Sequence, residues 1–204
     1  LRVVPQVGYL LGPKLIELGF QAREELPLVT LAGPYLDELS ALTGDTIHLA
    51  IREGDEVLYL HKNPGRNGPE MRSRVGHRMP LARTGIGKAL MLDDTQEEWQ
   101  RLYEVSLPAG GKNQFWPQHP EQSWEQFQQR MVEYVAGGYA FDLEDNEPSI
   151  RCVAAPIRDA SKRIVAGISI ASTVPYMPLE KMAELIPLIK GVTARLSAEL
   201  GAKV

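Results

Sequence analysis

The chain's reactive vocabulary is small. It has one cysteine, Cys152, and four histidines, His48, His61, His77 and His119. It also has an acidic run, Asp142, Glu144, Asp145 and Glu147, and a glycine pair ahead of a lysine in Thr84-Gly85-Ile86-Gly87-Lys88. Cys152 as a nucleophile needs a basic neighbour, such as His77, to lower its pKa. No such partner stands at a recognisable spacing. The alternative is a small buried or pocket-lining thiol, because free cysteine is among the most buried residue types. The histidines lack metal-ligand spacing and each sits alone on a strand or loop. The acidic run suits a hard cation but lacks EF-hand spacing, and a solvated loop with one inward residue explains it better.

The glycine pair is not a phosphate loop. The earlier glycine is absent, and Lys88 is followed by Ala89 where Ser or Thr is required. Two glycines at a helix start still expose free backbone N–H groups to which an anion is drawn. The competing explanation is that they only let the helix approach a sheet closely. Arg72, Arg74, Arg78, Arg83 and Arg151 offer further cations for an acidic ligand, or ordinary surface ion pairs. No acid, base and nucleophile converge, so the residues themselves specify no reaction.

The elements that must position these groups are legible from periodicity. In residues 164–171, Ile164, Ala166, Ile168 and Ile170 alternate with Val165, Gly167, Ser169 and Ala171. Side chains on a strand alternate between faces. One face is therefore bulky and the other small and partly polar. The small face leaves room for a ligand, or receives a helix. Residues 150–157 form the preceding strand. Residues 46–52 and 56–62, joined by Glu53-Gly54-Asp55, read as a β-hairpin. Residues 70–75 read as a further strand and 63–69 as a loop.

Residues 1–11 read as two extended pieces about a turn at Pro5 to Gly8. Pro13 opens a helix. A second helix runs from Pro27 to Thr43, with a kink expected at Pro34. A third starts near Gly85. Thr95 with Glu98, and Ser123 with Gln126, have capping-box spacing and start two more, with a loop over 108–120 between them. Residues 179–200 carry an apolar stripe, and Pro187 is expected to bend or split that helix. The order helix, strands, helices, strands, helix argues for an α+β domain with helices on a mainly antiparallel sheet.

Bulk properties narrow the class. The 204 residues are 44% hydrophobic and 24% charged, with net charge −4. The pI of about 5.6 argues against nucleic-acid binding by this chain itself. A single cysteine rules out an internal disulfide and fits a reducing compartment. No run reaches the roughly 18 apolar residues of a membrane span, and no signal peptide is visible. The chain begins at Leu1, as a trimmed or processed chain would.

Three segments resemble the effector-binding domain of IclR-type bacterial transcriptional regulators. They are residues 8–19, residues 76–90 with Met79-Pro80-Leu81 and Gly85 to Leu90, and residues 138–172 with Ile150 to Ile157. Thr46 to Leu49 and Arg72 to Gly76 look most like the sugar-acid branch, such as the 2-keto-3-deoxygluconate regulator. The resemblance implies a GAF-like α+β fold. It assigns residues 1–11 to a remnant of a winged-helix DNA-binding domain, 12–25 to a linker helix and 26–204 to the effector domain. It further implies a homodimer or homotetramer acting in the cytoplasm, with operator DNA bound through the missing N-terminal domain.

No cofactor and no metal is implied. The implied ligand is a small organic acid, a 2-oxo or sugar acid. Its contacts, carried over by motif position, are Met71, Met79, Gly85, Ile86, Asp142, Cys152 and Ser169. A second pocket serine common in the family, two residues after Ser169, is Ala171 here, so one hydrogen-bond donor is lost. The alternatives are a small enzyme using Cys152 and a pure oligomerisation module.

Overall fold

A computed structural model describes residues 2–4, 8–10, 12–24, 27–107 and 122–202. The loop expected over 108–120 and the turn residues 5–7 lie outside the described residues. A two-stranded hairpin, β1 (Arg2–Val4) and β2 (Gly8–Leu10), precedes helices α1 (Lys14–Glu24) and α2 (Pro27–Thr43). The main sheet holds β3 (Thr46–Glu53), β4 (Glu56–Asn63), β5 (Arg78–Pro80), β6 (Ala140–Leu143), β7 (Ile150–Arg158) and β8 (Ile164–Thr173). Their spatial order is β5-β4-β3-β8-β7-β6, with every pair antiparallel. The remaining helices are α3 (Gly85–Leu90), α4 (Gln96–Ser106), α5 (Trp124–Gly137) and α6 (Leu179–Glu199).

Each sheet face meets its own helices. Ile47, Leu49, Val153, Ala155, Ile168 and Ile170 pack under α2 and α6, against Leu36, Leu39, Ile189 and Leu196. The opposite face offers Ala50, Tyr59, Ala140 and Ala154 to Ile86, Ala89 and Leu90 of α3, with α4 and α5 behind. The alternation expected for β8 holds from Ala166 onward. At its start the register slips near Ile157 and Arg158, so Ile164 packs with the α3 cluster and Val165 with the α2/α6 core. A bulge exchanges faces, which a period-two pattern does not reveal.

One local expectation needs correction. The segment 70–75 is not a strand. The carbonyls of Met71 and Ser73 both turn to the Lys62 ammonium, at 2.7 and 2.9 Å, rather than to a strand partner. Pairing begins only around Gly76, which donates to Tyr59 O. Pro187 does not split α6, nor does Pro34 interrupt α2. Each proline is exposed, as is the residue four places earlier, so each freed carbonyl sits at the solvent side. The Ser123–Gln126 capping box is complete, and Thr95 accepts from the Glu98 N–H at 3.3 Å. Among the described residues no helix is long and apolar enough to cross a membrane.

Candidate functional site

Paired residues on adjacent strands share a face. Thr46, His48, Lys62, Cys152, Asp142, Ala154, Ser169 and Ala171 are linked by such pairings. All therefore stand on the α3 side of the sheet. A bulge where Leu49 pairs His61 but Ala50 pairs Tyr59 adds Tyr59 to that face beside Lys62. The Tyr59 and His48 rings lie 4.9 Å apart.

The middle of this face carries a buried polar chain. Ser169 Oγ lies 3.3 Å from His48 Nδ1, and Ser73 Oγ lies 2.7 Å from His48 Nε2. His48 is 3% exposed and Ser169 2%. Burial, with the Lys62 ammonium adding to it, pushes the His48 imidazole down to about 3, so the ring is neutral. A neutral imidazole has one donor and one acceptor nitrogen, and two hydroxyls satisfy it in either tautomer. In sequence His48 stands as one of four isolated histidines with no assigned partner. Its signal was available: Thr46, His48 and Ala50 alternate with Ile47, Leu49 and Ile51, which puts the imidazole on the small face.

The seven residues implied by the family motif fall into five places. Gly85, Asp142 and Cys152 form one tight cluster. A Cβ built on Gly85 would sit 2.5 Å from Cys152 Sγ and 2.9 Å from the Asp142 amide nitrogen. Burial pushes the Cys152 thiol up to about 12, with Asp142 adding to it. Hydrogen bonds from the Gly85 and Asp142 backbone oppose that rise. A thiol held protonated near neutrality is a poor nucleophile. Ile86 lies over Gly167, its Cγ1 3.1 Å from where a Cβ there would be. Ser169 belongs to the His48 chain. Met79 lines the α3 cluster from β5, and Met71 sits on the loop over Lys62.

The glycine pair has a full packing explanation. A Cβ on Gly87 would come 2.1 Å from Leu81 O, and the Gly87 N–H is taken by Thr84 Oγ1 at 3.0 Å. Gly85 lies against the Cys152 sulfur. Close approach of α3 to the sheet at Gly85, and to the turn at Leu81 at Gly87, thus accounts for both residues.

Two members of the acidic run, Asp145 and Glu144, are paired with cations. Asp145 accepts from Lys88 Nζ at 2.5 Å and from Arg130 at 3.0 Å. Glu144 pairs with Arg151 at 3.0 Å. Asp142 Oδ1 caps the Asp145 N–H at 2.8 Å. The two aspartates share Lys88 and move apart: burial holds Asp142 above the usual carboxylate range, and Lys88 holds Asp145 below it. Among the described residues no group of three or more His, Cys, Asp or Glu could hold a metal ion.

An open cleft of about 470 Å³ is walled by Lys62 and residues 70–75, and Ser73 is the member of the polar chain that lines it. That volume suits a small metabolite. A larger groove of about 780 Å³ lies on the opposite side, between α2 and α6, at Tyr35 and Arg195.

A helix-flanked antiparallel sheet with a buried polar chain under a loop is a frame that comparison can place. Residues 20–198 match the family model described as "Bacterial transcriptional regulator IclR C-terminal". The chain belongs to that family. It is 31% identical over 193 residues to the Escherichia coli HTH-type transcriptional regulator KdgR, covering 95% of this chain and 72% of KdgR. It is 31% identical over 198 residues to the E. coli HTH-type transcriptional regulator XynR, covering 97% of this chain and 77% of XynR. The crystal structure of the Thermotoga maritima IclR superposes with a TM-score of 0.81 at 28% identity, covering 97% of this chain and 78% of that one. The α+β architecture is therefore that of IclR C-terminal domains.

Proposed function

We propose that this chain is the sensing domain of a transcriptional regulator, and that it binds a small organic acid on the α3 side of the sheet without transforming it. The observation that carries this reading is the Ser169–His48–Ser73 chain, with His48 and Ser169 buried, on the face that also carries Thr46, Lys62, Asp142 and Cys152. Burying polar groups carries a desolvation cost that their hydrogen bonds only offset. A face that only received a helix would be filled with apolar side chains instead. The seat would use Ser169, Asp142 and Cys152 as polar neighbours, Gly85 and Ile86 as its α3 edge, and Met71 and Met79 as adaptable walls.

The same reading treats residues 1–11 as the end of a DNA-binding domain and 12–25 as its linker helix. The β1–β2 hairpin followed by α1 supports it. Leu15, Ile16 and Leu18 are about half exposed or more on α1, which favours burial against a second copy in a dimer or tetramer. In the complete regulator, operator DNA would be bound outside this chain, in the cytoplasm, and the acid would alter that binding. The protonated Cys152 supports binding over catalysis.

The test is a thermal-shift screen with pyruvate, glyoxylate, 2-keto-3-deoxygluconate and aldonic acids. A ligand selective for the folded state must raise the melting temperature. At least one acid should do so for the unaltered chain and lose most of its effect in Ser169→Ala. Absence of a shift with every acid would favour a structural oligomerisation module, and consumption of an acid detected by mass analysis would favour an enzyme.

A further inference from the structure

Residue Ser73 presents two oxygens to the sheet at once. Its carbonyl accepts from Lys62 Nζ at 2.9 Å, and its hydroxyl meets His48 Nε2 at 2.7 Å. Lys62 and His48 are directly paired across β3 and β4. Chemically, Ser73 offers a carbonyl oxygen and a hydroxyl on the third carbon counted from it. The Lys62 side chain is only 9% exposed, and its ammonium is otherwise met by Met71 O at 2.7 Å and Glu70 at 3.5 Å. An ammonium so enclosed, satisfied mainly by neutral carbonyls, is a ready partner for a carboxylate, which adds the attraction of an opposite full charge at a mostly buried position.

We propose that Lys62 and His48 select the effector, a small acid bearing a hydroxyl on its third carbon, and that Ser73 occupies their seat until that acid displaces it. The inference rests on the reading of this face as an effector site and deepens it. Lys62 takes the carboxylate in place of the Ser73 carbonyl, and His48 takes the hydroxyl in place of Ser73 Oγ. Residues 70–75 swing outward while their ends stay pinned. Arg66 and Asn67 donate to Gly44 O on one side, and Gly76 donates to Tyr59 O on the other. Apparent affinity is lowered by the cost of displacing Ser73, as for any site whose competent form is only partly populated.

The experiment is titration calorimetry of the whole chain with D-gluconate, 3-hydroxybutanoate and butanoate, and with pyruvate and 2-keto-3-deoxygluconate as acids lacking the third-carbon hydroxyl. The unaltered chain should bind 3-hydroxybutanoate or D-gluconate at least about tenfold more tightly than butanoate. Lys62→Met should weaken that binding about tenfold or more, and Ser73→Ala should tighten it severalfold by weakening the internal competitor. Circular dichroism checks that the Lys62 variant is folded. If it is not, failure of Ser73→Ala to tighten binding overturns the inference. Binding of any acid to the unaltered chain with Lys62→Met within twofold overturns the role of Lys62 and leaves the effector reading standing. No binding of any of the five acids to either the unaltered chain or Ser73→Ala removes both.

Discussion

Two buried charges and one buried imidazole give the α3 side of the sheet its sharpest consequences. Lys88 is 1% exposed and depends on Asp145. Removing one partner of a buried pair is far worse than replacing both, because it strands a charge. Asp145→Ala should therefore cost about 3–5 kcal/mol in urea unfolding, and Lys88→Met paired with Asp145→Ala should recover a large part of it. His48 gives a pH dependence of known sign. Its folded pKa of about 3 lies below the ordinary 6.5. The neutral ring is thus favoured by folding: its contribution is complete above pH 6.5 and is lost as pH falls toward 3, by about 1.4 kcal/mol per unit. Asp142 works the other way. Its raised carboxyl contributes at low pH and loses that contribution as pH rises. Comparing His48→Gln with the unaltered chain isolates the imidazole. The variant should gain relative stability on going from pH 7 to pH 5, measured by urea midpoints. A pH-independent difference would contradict the neutral, buried ring.

At the scale of elements, α3 is held by glycines that cannot be replaced. Gly87→Ala puts a methyl 2.1 Å from a backbone oxygen, where no side-chain rotation relieves it. We expect a loss of about 3 kcal/mol by thermal or urea unfolding. Gly33→Ala in α2, where nothing lies within 4 Å, should instead gain about 0.5–1 kcal/mol. Most elements were readable because their signals are local. The Ser123 cap and its Gln126 partner, the apolar stripe of α6 and the alternation of β8 each follow from a few neighbouring residues. What escaped was decided by contacts distant in sequence. Residues 70–75 have a strand-like composition, but Lys62 takes their carbonyls. The bulges in β4 and β8 move Tyr59 and Ile164 between faces without leaving a mark on the pattern. His48 stands alone in sequence because Ser169 and Ser73, which define its role, are 121 and 25 residues away. The glycine pair admitted two readings until the distances to Leu81 and Cys152 showed what packing demands.

At the scale of the molecule, one sheet separates two tasks. The α2/α6 face carries a thick apolar core and confers stability. The α3 face carries buried polar groups at some cost in stability, under a loop pinned at its ends. Under the proposed function, coupling an acid bound there to distant DNA heads would require only that the acid favour one arrangement of paired domains over another. The measurement that bears most directly on this account is a crystal structure of the chain grown with the acid that gives the largest thermal shift. The account predicts the acid on the α3 face within hydrogen-bonding distance of His48 and Ser169, with Ser73 moved off the imidazole. An acid bound instead in the groove at Tyr35 and Arg195, with the Ser73–His48–Ser169 chain intact, would contradict it.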